Sequence, residues 1–205
     1  VPVMPLVEVI SGMQSDTDFI NRAMYFSGQL GKMPVAVASV KGFLVNRALL
    51  PYLFRAIEVM EAGEQPDKID QALLDFGMPM GPIELCDQIG LDVCYDVGLV
   101  LGMPEAAENR LKQLIDAGQK GRKTQHGFYA WEGKKAVRPR AEYDTQQMQA
   151  MAQDILAPLI EKCRSAVEEQ IVSSKEDADI GCILGIGFPR FRGGPLSWAD
   201  YPRKH

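Results

Sequence analysis

Lys41-Gly42-Phe43-Leu44-Val45-Asn46-Arg47 heads a segment that stays apolar as far as Gly63. Phe43, Leu44, Val45, Ala48, Leu49, Leu50, Tyr52, Leu53, Phe54, Ala56, Ile57, Val59 and Met60 spread over nearly every face of a helix. A helix apolar all round is a buried one. Asn46 is therefore expected in or beside a dry core, where an amide must find partners or cost free energy. Such an amide is either a structural lock or a working part of a site. Helices continue downstream over Asp67 to Phe76, Pro82 to Leu101 and Glu105 to Ala117, and a long amphipathic one runs from Glu142 to Val172 through Pro158. Thr124 to Gly133, aromatic and turn-rich, reads as a small hairpin. The fold class is mainly α.

Upstream of Lys41 the pattern is strand, helix, strand. Met4 to Ile10 alternates, Asp16 to Leu30 is a helix capped by Ser15 or Asp16 and stopped at Gly31, and Pro34 to Val40 is a short apolar strand. Two strands and a helix bury too little to stand alone, so residues 1–40 read as the tail of a larger sheet. Glu8 shares a face with Leu6 and Ile10. If that face is buried, Glu8 needs a cation, a histidine or strong donors; if the other face is buried, Glu8 is merely solvated. Alternation leaves both open.

A net charge of −5 argues against general nucleic-acid binding. No apolar run reaches the length of a bilayer span, and nothing at the N-terminus reads as a secretion signal. Cys86, Cys94, Cys163 and Cys182 show no metal spacing and read as reduced thiols of a bacterial cytoplasm or a eukaryotic organelle matrix. No metal site is expected. Seven basic residues between Gly118 and Arg140 oppose Glu132 alone, a local charge of +6 that leaves −11 elsewhere. A solvated linker is the preferred reading of that run; the nucleotide end of coenzyme A or an acidic partner is the other. Gly185-Ile186-Gly187 is followed by Phe-Pro and reads as turn chemistry rather than a dinucleotide loop. The histidines are His126, in the aromatic loop, and His205.

An internal repeat runs beneath the helices. At an offset of 110 residues Ala56-Ile57-Glu58 meets Ala166-Val167-Glu168, and Gly77-Met78-Pro79 meets Gly187-Phe188-Pro189. After a three-residue insertion, Gly81-Pro82 pairs with Gly194-Pro195 and Asp87 with Asp200. Leu156 stands where the first copy has Asn46. One copy holds the amide and the other holds packing.

Pro2-Val3-Met4-Pro5-Leu6-Val7-Glu8-Val9-Ile10, then Gly42-Phe43-Leu44-Val45-Asn46-Arg47, then Met78-Pro79-Met80-Gly81-Pro82-Ile83-Glu84-Leu85 and Gly127-Phe128-Tyr129, together resemble the 3-hydroxyacyl-CoA dehydrogenase family over essentially the whole chain. The second copy, with Gly185-Ile186-Gly187-Phe188-Pro189-Arg190-Phe191-Arg192-Gly193-Gly194-Pro195-Leu196, resembles the tandem C-terminal domains of multifunctional fatty-acid oxidation enzymes. The resemblance implies three parts. Residues 1–40 are the closing strand-helix-strand of a Rossmann-type NAD-binding domain, 41–135 a helical dehydrogenase domain, and 136–205 a degenerate, incomplete second copy of it.

It also implies NAD-dependent oxidation of L-3-hydroxyacyl-CoA to 3-ketoacyl-CoA in β-oxidation. In the family a histidine takes the hydroxyl proton, a glutamate holds that histidine, and an asparagine positions the substrate oxygen. Glu8 matches the glutamate and Asn46 the asparagine. The family histidine and the glycine-rich NAD site are missing, so the chain reads as the C-terminal part of a larger enzyme, inactive alone and binding no NAD itself. Acyl-CoA is the implied substrate, and the implied partners are the enzyme's own NAD domain, a second copy of the chain through its helical domains, and a thiolase subunit. The alternative reading is a non-catalytic dimerisation or interaction module. A 6-phosphogluconate-type or short-chain 3-hydroxybutyryl-CoA enzyme is disfavoured by the second copy.

Overall fold

Apolar patterning here outruns what short elements bury alone, and the chain answers with two compact units. The computed structural model describes residues 4–138 and 144–201. One unit gathers residues 1–49 and 159–205, and the other is the intervening 50–158. Arg140, the expected start of the long helix at Glu142, Pro2, Val3 and the end of the chain beyond Tyr201 lie outside the described residues.

In the first unit β1 (Leu6–Ser11) and β2 (Met33–Ala38) pair in parallel, with Glu8 opposite Val35. The helix between them, α1 (Thr17–Gln29), starts at Asp16, whose carboxylate accepts from the Asp18 N–H at 2.7 Å. That carboxylate satisfies one of the donors a helix start leaves unpaired. Leu6, Val9, Val35 and Val37 are buried. Burial along β1 does not alternate, because α1 lies against it and so does a later helix, α8 (Lys175–Gly185). Covered from two sides, the strand has no plainly outward face. The outer side of α1 leaves Phe19, Tyr25, Phe26 and Leu30 between 62% and 71% exposed. The unit also holds the first turn of α2 (Val45–Glu61), the end of α7 (Thr145–Glu168), α8 and α9 (Pro195–Asp200). Leu159, Cys163, Ala166, Ala178, Cys182 and Phe188 are buried in it.

The second unit contains the remainder of α2, α3 (Pro66–Phe76), α4 (Pro82–Ile89), α5 (Leu91–Leu101), α6 (Glu105–Asp116), a hairpin of β3 (Ala130–Glu132) with β4 (Lys135–Val137), and α7 up to Pro158. Tyr52, Phe54, Ile57, Ile69, Leu73, Ile83, Leu91 and Leu111 form its core, none more than 1% exposed. At roughly 1.5–3 kcal/mol for each fully buried large apolar side chain, these residues dominate its stability.

Several expectations are corrected. The helix expected from Pro82 to Leu101 is two, broken at Gly90, whose φ of 105° no ordinary side chain adopts readily. The hairpin lies after residue 129, because residues 127–129 wrap a buried carboxylate described below. The long helix stops at Glu168, ahead of Gln170 with φ of 57°. Nor is α2 buried all round: Arg47, Pro51, Arg55 and Glu58, spaced four, four and three residues apart, form a half-exposed stripe. Arg55 there reaches Asp154 at 2.9 Å. Among the described residues no helix is long and apolar enough to cross a membrane.

Candidate functional site

The start of α2 is set by a turn. Gly42 has φ of 78° and Phe43, unusually for a residue with a side chain, φ of 50°. That turn brings two backbone donors onto one acceptor: the Leu44 N–H reaches Glu8 Oε1 at 2.8 Å and the Val45 N–H reaches it at 3.3 Å. A carboxylate at a helix N-terminus meets both unpaired N–H groups and the positive end of the helix dipole. Glu8 is half-buried. Burial raises its pKa above the usual carboxylate range, and the two amides pull the other way. Of the alternatives left open by alternation, strong donors are what Glu8 has. No hydrogen bond to Glu8 Oε2 forms among the described residues.

Asn46 follows Val45 in the first turn of α2 and is exposed. The expected dry core takes Leu44 and resumes at Ala48, while Val45, Asn46 and Arg47, the opening turn of the helix, lie outside it. The structure therefore brings Glu8 to the first amides of the helix that presents Asn46 to solvent. Chemically, a fixed carboxylate whose second oxygen has no hydrogen bond from the described residues can orient an imidazole N–H, and an exposed amide can donate to a carbonyl oxygen. Of the two histidines, His126 sits exposed in the second unit, and His205 lies outside the described residues.

The other sequence motifs turn out to be organised by carboxylates that pattern reading passed over. Asp70, fully buried, accepts from the Ile83 N–H at 2.8 Å, the Glu84 N–H at 3.0 Å and the Tyr129 hydroxyl at 2.9 Å. Asp87, 1% exposed, accepts from the N–H groups of Phe128 and Tyr129 and from Trp131 Nε1, all at 2.9 Å. A Cβ on Gly81 would overlap Asp70, and one on Gly127 would overlap Asp87. Those glycines were the available signal. Burial pushes Asp70 up to about 7 against the pull of Arg138, the Ile83 amide and Tyr129. Arg138 pairs with Glu84 and lies 3.7 Å from Asp70, while Lys123 pairs with Asp92. Part of the basic run is thus spent on internal ion pairs.

The same device recurs in the first unit. Asp179, 3% exposed, accepts from the Leu196 N–H at 2.7 Å and from the Ser197 N–H at 3.0 Å, with Gly194 tight against it as Gly81 is against Asp70. Leu156, at the place corresponding to Asn46, is fully buried. Asp200, the counterpart of Asp87, is exposed and pairs with Lys175 at 2.6 Å.

Nothing in the β1–α1 connection suits a dinucleotide. Residues 12–16 carry one glycine, and the start of α1 is already capped by the anionic Asp16, which would repel a pyrophosphate. Gly185 ends α8 and is followed by a loop, not preceded by a strand. Among the described residues no cluster could hold a metal ion, and the four cysteines are free and buried.

Comparison with known proteins matches two stretches of the chain. Residues 42–131 match the 3-hydroxyacyl-CoA dehydrogenase C-terminal domain, and residues 1–40 match the 3-hydroxyacyl-CoA dehydrogenase NAD binding domain. The chain belongs to the 3-hydroxyacyl-CoA dehydrogenase family. It is 36% identical over 209 residues to the fatty acid oxidation complex subunit alpha of Vibrio vulnificus (strain CMCP6), a match covering 96% of this chain and 30% of that protein. The chain thus spans less than a third of the length of such relatives. The dehydrogenase part of multifunctional enzyme 1 from C. elegans superposes with a TM-score of 0.67 at 28% identity, over 94% of this chain and 47% of that one. A 3-hydroxybutyryl-CoA dehydrogenase from Escherichia coli K12 gives a TM-score of 0.78 over 97% of this chain and 61% of that one; at 23% identity it shows the fold alone.

Proposed function

We propose that the chain is the C-terminal part of an NAD-dependent L-3-hydroxyacyl-CoA dehydrogenase of fatty-acid β-oxidation. In it Glu8 orients and strengthens the histidine base, and Asn46 places the substrate oxygen. The observation that carries this reading is the Glu8–α2 junction: both amides converge on Oε1, no described residue bonds Oε2, and the exposed amide of Asn46 is the next side chain along. Family membership and the likeness to subunits named for fatty-acid oxidation support the substrate class. On this reading residues 1–40 close an NAD-binding domain, 41–135 form the helical dehydrogenase domain, and 136–205 are its degenerate second copy. The recurrence of the Asp70–Gly81 device as Asp179–Gly194 supports that duplication.

Within these residues the chemistry is orientation. Glu8, fixed by two N–H donors, accepts a proton-bearing imidazole nitrogen at Oε2, which sets the tautomer of that base and raises its basicity. NAD is held by residues other than these. The enzyme works in the cytoplasm of a bacterium, on acyl-CoA, with a second copy and a thiolase subunit as partners.

The test is NADH-dependent reduction of acetoacetyl-CoA. The chain alone is expected to show none, and the chain joined to a dinucleotide-binding domain that carries the histidine is expected to turn over. Turnover by the chain alone, in a preparation free of host dehydrogenase, overturns the division of labour. A second reading, a non-catalytic interaction module, has one observation in its favour: the exposed Phe19, Tyr25 and Phe26 of α1 with Leu30 just after it. Association of the joined enzyme that survives Asn46→Ala while turnover is lost separates catalysis from assembly.

A further inference from the structure

Behind the Glu8 junction stands α8, a helix of the second copy. Two glycines one turn apart let it approach. A Cβ on Gly181 would overlap the end of the Leu44 side chain. One on Gly185 would stand 2.7 Å from Val45 Cγ2 and 2.9 Å from Leu6 Cδ2, closer than real Cβ contacts allow. Leu44 and Val45 are the residues whose N–H groups bind Glu8, and Leu6 lies two places before Glu8 on β1. The segment leading into α8 is tied to the same place twice more. Arg47, directly after Asn46, donates from Nη2 to both oxygens of Glu169 at 2.7 Å. The Ala38 N–H at the end of β2 donates to the Ile171 carbonyl at 2.8 Å.

These contacts are poor investments in stability. Gly181 weakens the interior of α8, and an ion pair with side chains 22% and 51% exposed adds little. What they do is fix distances. Gly185 sets how close Val45 stands to Glu8, at the longer of the two hydrogen bonds, and Glu169 restrains the turn that presents Asn46.

We propose that Gly185, Gly181 and Glu169 are positioning residues of the dehydrogenase reaction, and that the second copy serves as a backstop for the Glu8–Asn46 junction. This inference rests on the dehydrogenase reading above. The two glycines differ in how their neighbours can yield. Leu44 at Gly181 and Leu6 at Gly185 each offer the end of a flexible side chain, whereas Val45 faces Gly185 with both methyls of a stiff β-branched one. Substitution at Gly185 therefore displaces the Val45 amide, and substitution at Gly181 moves a side-chain end.

The experiment uses the intact enzyme, this chain with its dinucleotide-binding domain, and reads kcat, KM for acetoacetyl-CoA, the pH profile and the thermal midpoint. Gly185→Ala is expected to lower kcat about tenfold with KM within about twofold, and to move the alkaline limb of kcat/KM, above which the histidine has no proton to give the ketone oxygen, to lower pH as Glu8 loosens its hold on the imidazole. Gly181→Ala lowers kcat less than about threefold. Glu169→Gln, at a site too exposed to threaten folding, lowers kcat about threefold with the same pH shift. Should Gly185→Ala fail to fold, Glu169→Gln decides alone. Glu8→Gln and Asn46→Ala run alongside: if both leave kcat unchanged, the dehydrogenase reading of the junction falls and this inference with it. If both lower kcat while folded Gly185→Ala and Glu169→Gln keep the wild-type kcat and pH profile, the backstop is overturned and the reading stands.

Discussion

Replacing Asp87 with asparagine isolates what a buried carboxylate contributes to the second unit. Its two oxygens accept three hydrogen bonds at 2.9 Å, from Phe128 N–H, Tyr129 N–H and Trp131 Nε1. An asparagine whose carbonyl takes the Oδ2 place keeps the Tyr129 and Trp131 bonds, but its NH2 then faces the Phe128 N–H, donor against donor. The lost charged bond is worth about 2 kcal/mol, and the two survivors each weaken by about 1 kcal/mol as the acceptor becomes neutral. Relief of the buried charge, the same burial that raises the Asp87 pKa, returns about 1 kcal/mol. The net expectation is a loss of about 3 kcal/mol. Gly121 and Gly127 pack so closely on Asp87 that the site has no slack to relax into. Urea unfolding at pH 7 measures it, followed by Trp131 fluorescence in a Trp198→Phe background, since Trp198 belongs to the other unit. At a slope of roughly 2 kcal/mol per molar urea the midpoint should fall by more than about 1 M. Asp200→Asn, its exposed repeat counterpart, should leave the midpoint where it was. A shift under about 0.3 M for Asp87→Asn refutes the reasoning.

Burial raises the Asp70 carboxyl from the ordinary range to about 7, so its contribution to stability is present in full below about 4 and is lost as pH rises through about 7. The deficit of Asp70→Asn relative to wild type should therefore be larger at pH 4 than at pH 7.5, by up to about 4 kcal/mol in urea titrations; a deficit that is flat or grows with pH contradicts this. Gly90→Ala forces a side chain to φ of 105° and sets its Cβ 3.1 Å from Asp92 Oδ1 and Lys123 Nζ, so calorimetry should show a loss of about 1–3 kcal/mol. The four buried thiols should be silent to a thiol reagent over minutes in the native chain and titrate as four in urea.

Much of the backbone plan was readable because it rests on local signals. Asp16 caps α1 as its position indicates, α3 and α6 begin and end within a residue of the periodic pattern, and the strand-helix-strand appears in order. The failures share one cause: each was decided by residues far away in sequence or by a single dihedral. The apolar run through Gly90 reads as one helix until the backbone turns there. Asn46 sits in an apolar segment, yet where α2 starts is set by Glu8, 36 residues before Leu44. Asp70, Asp87 and Asp179 each look like the wet side of an amphipathic helix, and only their donors on distant loops make them core. The matched letters around Gly81-Pro82 and Gly194-Pro195 were visible in the sequence; that a buried aspartate accepts from the helix start at each place was not.

The central claim is that the junction of β1 with α2 is half of an active site. Its most direct measurement is kcat for acetoacetyl-CoA reduction in the intact enzyme bearing Glu8→Gln, which keeps the shape of the side chain but replaces the acceptor that holds the base. The expected result is a fall of about 100-fold with an unchanged thermal midpoint. A folded Glu8→Gln enzyme with wild-type kcat contradicts the claim.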